Sequence, residues 1–140
     1  MHPNFIIITS LYAAVLGLLF AGLTVNVIVN RVKLGVDIGD GGKGTMLQTC
    51  RAHANFAEHV PMALLLILLA ELIGSPPAMI HGLAAVLVFA RLASAYGLLG
   101  STTQSPGRKL GAGLTVLVDV VASGLIVFRA VAMMSAMSGA

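Results

Sequence analysis

The chain has 140 residues, 58% apolar and 9% charged, with a mean hydropathy of +0.99 and a formal net charge of +3. Soluble proteins carry about 25% charged residues, so this composition places the chain in a membrane. A charge of +3 carried by so few ionisable groups lacks the basic patch on a polar surface that marks a nucleic-acid binder, so no nucleic-acid partner is expected. A chain this short makes one domain, residues 1–140, with short loops. The first apolar run, Phe5 to Val29, is long enough to cross about 30 Å of hydrocarbon with some tilt. Met1 to Asn4 hold no Lys or Arg, so the run reads as a retained span rather than a signal peptide. Asn26 and Asn30 lie at its far end beside Arg31, and Asn26 suits an interhelical or interfacial hydrogen bond.

Val32 to Thr45 forms the first connection. Its Gly39-Asp40-Gly41-Gly42-Lys43-Gly44 matches G-x-G-x-x-G, but a membrane helix precedes it where a dinucleotide fold needs a strand. Gly44 also follows Lys43 where a phosphate loop needs Ser or Thr, so a connector whose glycines take positive φ is expected.

The second span, about 46–73, contains Cys50, the only cysteine, which permits no intramolecular disulfide and reads as an apolar filler or a reactive thiol. It also contains the polar run Arg51-Ala52-His53-Ala54-Asn55-Phe56-Ala57-Glu58-His59-Val60-Pro61. At about 100° per residue, Arg51, Asn55 and Glu58 fall at i, i+4 and i+7 on one stripe, with His59 beside it. A crossing needs about 20 residues, so counting back from Glu71, which precedes the Ser75-Pro76-Pro77 turn, reaches Arg51 and submerges Glu58 by roughly 10 Å. Ionisable groups at that depth face a bundle interior, a partner or a ligand, so a structural ion pair and a polar ligand are both open. Pro61 frees the carbonyl of Ala57 and either kinks the helix there or serves packing.

The third span, about 78–99, carries Arg91, whose depth matches that of Glu58 within roughly 3 Å, so the two are expected to pair. After the Gly100 to Gly107 loop comes a fourth span, about 108–134, with Arg108, Thr115 and Asp119 on one stripe. Asp119 suits a helix-to-helix hydrogen bond or a salt bridge, and Gly111, Gly113 and Gly124 suit close helix approach. Lys and Arg concentrate in the first and third connections and the flanking helix starts. The positive-inside rule therefore puts both connections in the cytoplasm and both termini outside.

Arg51-x-x-x-Asn55-x-x-Glu58-His59-x-Pro61, Phe89-Ala90-Arg91-Leu92 and Gln104-Ser105-Pro106-Gly107-Arg108 together resemble the MAPEG family, the membrane-associated proteins of eicosanoid and glutathione metabolism. The Gly39-Asp40-Gly41-Gly42 connector is similar to that of bacterial members, and a bacterial inner membrane is expected. The resemblance implies an all-α, integral membrane four-helix bundle assembled as a homotrimer among membrane lipids. Glutathione, as co-substrate and without a metal, would bind between subunits near the cytoplasmic face. It further implies that Arg31, Arg51, Asn55, Glu58, His59 and Arg91 hold glutathione and that Arg108 is catalytic, stabilising the thiolate.

The residue types suit that ligand, since two carboxylates and an ammonium ask for several guanidinium groups and one carboxylate. A thiol of pKa near 8.5 is mostly protonated at neutral pH, and a cation beside it raises the nucleophilic fraction. The implied reaction is thiolate attack on a hydrophobic electrophile, or reduction of a lipid hydroperoxide. Where many members carry His or Tyr, this chain has Ser94 and Leu98, and Tyr96 lies on another face. Two other readings remain at this level. One is a non-catalytic lipid-binding or scaffold trimer, as in the family's lipoxygenase-activating protein. The other is a four-span multidrug exporter, whose essential Glu would sit on span one rather than amid arginines on span two.

Overall fold

The computed structural model describes residues 6–101 and 105–138, so Gln104 of the span-four motif lies outside the described residues. Its elements are four helices, α1 (Ile7–Leu34), α2 (Gly44–Leu72), α3 (Pro77–Gly100) and α4 (Pro106–Ser138), with no strand among the described residues. All four are long and apolar enough to cross a membrane. The shortest, with 24 residues, measures about 36 Å, more than the hydrocarbon thickness.

Helix α1 runs past the expected end at Val29, carrying Arg31 and Lys33 in its last turn, where cations complement the carbonyl end of the helix dipole. It stops at Gly35, whose φ of 61° lets its own N–H and that of Val36 donate back to Val32 and Arg31. Gly39, Gly41 and Gly42 also take positive φ, as expected of the connector. The turn between α2 and α3 has the same form. Gly74 and Ser75 donate back to Glu71 and Ala70, and Pro77 opens α3 at a position that needs no N–H.

Helices α2 and α3 form the middle of the bundle, α1 and α4 lie on the outside, and α1 does not touch α4. The core joins Leu16 of α1, Phe56, Val60, Ala63, Ile67 and Ala70 of α2, Ile80, Ala84 and Leu87 of α3, and Val118 of α4. Small residues in that set let backbones approach, the main source of helix association where lipid is as apolar as the helix face. Helix α2 continues unbroken through Pro61.

A charged contact fixes the start of α1. The Glu71 carboxylate, on α2, accepts from the backbone N–H of Ile8 at 3.0 Å and of Thr9 at 2.8 Å. Glu71 therefore caps a neighbouring helix, satisfying donors that its own sequence leaves open. At the other end of α1, the Asn30 amide donates to the carbonyl and side chain of Asn26, so Asn26 is bonded within its helix rather than across helices.

Candidate functional site

Between α2, α3 and α4, near the start of α4, lies a cleft of about 300 Å³. Each helix supplies residues one turn apart: Arg51 and Asn55 from α2, Ser94 and Leu98 from α3, Arg108 and Ala112 from α4, with Lys109 beside Arg108. That spacing places each set on one face of its helix. The lining contains three cations and no carboxylate.

Glycines set the spacing of α3 and α4 beside the cleft. A Cβ on Gly111 would stand 2.5 Å from the Ala90 carbonyl and from Ser94 Oγ, and one on Gly107 would stand 2.8 Å from the Ala93 carbonyl. Only glycine admits that approach of α4 to α3. Gly113 and Gly124, expected to serve the same purpose, have nothing within 4 Å and face outward. Just before α4, Ser105 donates from Oγ to the Gly97 carbonyl at 3.1 Å and accepts from the Arg108 N–H at 3.4 Å, which ties the start of α4 to α3.

Arg91 is 1% exposed, buried between α2, α3 and α4. Its Nη1 donates to Asn55 Oδ1 at 3.3 Å, and its Nη2 donates to the Gly111 carbonyl at 2.9 Å and to Thr115 Oγ1. The expected pairing of Arg91 with Glu58 does not occur. Its partner on α2 is Asn55, three residues from Glu58, so the depths agree within about one helical turn while the faces differ. Axial rise fixes depth but leaves the rotation of a helix about its axis open. Rotation turns Glu58 outward to Arg51, at 3.8 Å, with both side chains more than half exposed.

The remaining candidates lie away from the cleft in the single chain. Arg31 Nη1 donates to the carbonyls of Val36, Asp37 and Gly39 at 3.0–3.2 Å, and Nη2 approaches Cys50 Sγ at 3.7 Å, so this guanidinium orders the first connector. His59 is half-buried and outside the lining. Asp119 is half-buried, and its Oδ1 has no hydrogen-bond partner among the described residues. A separate groove of about 230 Å³ between α1 and α2, lined by Leu16, Phe20, Phe56 and Pro61 among others, carries no charged side chain.

Residues 9–128, from the first turn of α1 through about two thirds of α4, match the MAPEG family. The chain belongs to that family. That family is the one of membrane-associated proteins in eicosanoid and glutathione metabolism. This MAPEG protein is also similar to the inner membrane protein YecN of Escherichia coli strain K12. The two are 33% identical over 90 residues, which span 64% of this chain and 69% of that protein. The protein of the same name from Escherichia coli O6:H1 gives the same identity and coverage. With four spanning helices and an inner membrane relative, the MAPEG chain is an integral membrane protein.

Three lining residues of this MAPEG chain, Ser94, Leu98 and Lys109, stood outside the set expected to hold glutathione. Lys109 directly follows Arg108 and, by sequence, is a membrane-boundary charge or a reserve cation for the thiolate. Ser94 and Leu98 stand at i+3 and i+7 from Arg91, a helical stripe that could have placed them in the lining.

Proposed function

We propose that this MAPEG protein is a membrane glutathione transferase whose glutathione site is the cleft between α2, α3 and α4. The observation that supports this reading is the lining itself: Arg51, Arg108 and Lys109 around one cleft with no carboxylate among them. Such a surface attracts a ligand rich in anionic oxygen. Glutathione brings two carboxylates and a thiol that becomes a third anion, and its one ammonium finds a carboxylate in Glu58, beside Arg51.

In this reading Arg108, at the start of α4, stabilises the thiolate. Lowering a thiol pKa by about two units corresponds to roughly 2.7 kcal/mol, within reach of one partly desolvated guanidinium. The thiol proton leaves to solvent. The sulfur lone pair then forms a bond to an electrophilic carbon of a hydrophobic compound arriving through the lipid, and the leaving group departs with its electron pair.

The site is proposed to be completed in a homotrimer at the cytoplasmic face. Arg51 and Glu58 are more than half exposed within a spanning helix, where lipid would be a costly neighbour for them. Arg31 and His59, apart from the cleft in one chain, are proposed to reach glutathione held between subunits. The test is conjugation of a chromogenic electrophile by purified protein in detergent, with and without glutathione, alongside calorimetric titration of glutathione. Protein-dependent conjugation above the uncatalysed rate supports the transferase. Binding of a lipid with no glutathione uptake would replace the transferase with a lipid-binding scaffold.

A further inference from the structure

We propose that Asp119 is a positioning residue of the site: it supplies the counter-charge that holds the buried Arg91 guanidinium inside the bundle, and it thereby limits how strongly the cleft attracts an anion. Its effect on the cleft rests on the glutathione reading above, whereas its effect on the bundle stands without that reading.

Arg91 is 1% exposed on a spanning helix, and the partners of its guanidinium are all neutral: Asn55 Oδ1, the Gly111 carbonyl and Thr115 Oγ1. Its Nε is buried without a partner among the described residues. Neutral acceptors orient a guanidinium but leave its charge uncompensated, which is costly at bilayer depth. Glu58, the acid expected to pair with Arg91, is turned away to Arg51. Asp119 takes its place. It stands one turn beyond Thr115 on the same face of α4, about 6 Å further from the cleft, half-buried, with Oδ1 unpartnered among the described residues. The charged groups whose fields reach Asp119 are His59 of α2 and Arg91 of α3, and the acid whose field reaches Arg91 is Asp119. Asp119 is not among the groups bonded to Arg91, so the coupling acts through space, where a low dielectric without screening water preserves it.

The same coupling reaches the cleft. Asn55 lines it and is bonded to Arg91, and Ser94 lines it about one turn along α3 from Arg91. Arg91 therefore adds positive potential beneath the cleft, and Asp119, behind it, subtracts from that potential. Two demands conflict here. The ligand-free bundle needs the carboxylate to offset Arg91, whereas an anionic ligand binds more tightly without it, because the ligand's own charge then compensates Arg91. Loss of the Asp119 charge should thus move stability and affinity in opposite directions. A residue that only held the fold would move both the same way.

The experiment uses the full-length parent, Asp119→Asn, Asp119→Glu, Arg91→Met and the double variant Arg91→Met/Asp119→Asn in detergent. It measures unfolding midpoints without ligand, and glutathione affinity by calorimetry at low ionic strength. Asp119→Asn keeps the shape and removes the charge, so it should lower the midpoint yet bind glutathione about three- to tenfold more tightly. Asp119→Glu should return both towards the parent. On Arg91→Met the same Asn substitution should cost nothing further, since the charge it served is gone. Unchanged or weaker binding by Asp119→Asn, or an undiminished loss of midpoint on Arg91→Met, overturns the role of Asp119. Where Asp119→Asn alone does not fold, adding Arg91→Met must restore folded protein, and failure to do so overturns the role as well. A parent that binds no glutathione overturns the transferase reading instead, and the midpoints then decide whether Asp119 compensates Arg91.

Discussion

Arg91 donates from Nη1 to the side-chain oxygen of Asn55 at 3.3 Å, and this bond decides which end of the Asn55 amide faces the cleft. With its oxygen held by a buried cation, Asn55 can present only donors to a ligand. Arg91 thereby acts on the site through Asn55 while its Nη2 ties α3 to α4 at Gly111 and Thr115.

Asn55→Asp should keep the fold, because a carboxylate accepts from Arg91 at least as well as an amide does. It should nevertheless weaken glutathione by about tenfold or more, since the donor turned to the cleft becomes an anion. Calorimetry on folded, detergent-purified variant and parent separates the two effects. Arg91→Met should instead cost about 2–4 kcal/mol of stability through lost charge-assisted bonds at a buried position, read as a lowered unfolding midpoint.

Gly111→Ala and Gly113→Ala make the same chemical change two residues apart and should behave oppositely. The added methyl at Gly111 meets the Ala90 carbonyl and Ser94 at 2.5 Å, so α3 and α4 must separate at a cost of about 1–3 kcal/mol. At Gly113 nothing lies within 4 Å, and the better helix former should be neutral or slightly stabilising. Equal thermal midpoints for the two variants would contradict this packing of α4.

Glu71→Gln should loosen the start of α1, because a single neutral amide oxygen replaces a carboxylate that accepts from both Ile8 and Thr9. A charged helix cap of this kind contributes about 1–2 kcal/mol. Hydrogen exchange at the Ile8 and Thr9 amides is expected to accelerate, with the Gly44 end of α2 unchanged. Unaltered exchange would show that the helix start is held by other contacts.

Arg108→Leu tests the thiolate role. The variant should still bind glutathione, held by Arg51, Asn55 and Lys109, but should lose the ultraviolet absorbance of the thiolate and most of the conjugation rate at neutral pH. A thiolate signal equal to that of the parent would transfer the role to another cation, with Lys109 the nearest in the cleft.

Orientation is accessible to labelling. Single cysteines at Gly41 and Ser138, in a Cys50→Ala background, should react with a membrane-impermeant reagent from opposite sides, Gly41 from the cytoplasm. Reversed accessibility would place the cleft, at the same end of the bundle as the first connector, on the outer face.

The spans, their turns and the relative levels of their polar residues were legible in the chain alone, because each follows from local chemistry. Hydropathy sets which segments are apolar enough to enter lipid, and the rise per residue sets the level of Arg91 against Glu58 along the bundle, which the Arg91–Asn55 bond matches to within about one turn. Pro76-Pro77 marked the α2–α3 turn, and the polar run from Arg51 to Pro61 led to the family. The end of α1 was missed, because the apolar run stops at Val29, while the stop signal is Gly35 following Arg31 and Lys33. What the tertiary structure decided was rotation. Whether Arg91 meets Glu58 or Asn55, whether Gly111 or Gly113 touches α3, and whether Lys109 faces the cleft all depend on how each helix turns about its axis. That turn is set by contacts between residues far apart in the chain, such as Gly111 against Ala90 and Glu71 against Thr9, for which no local periodicity carries a signal.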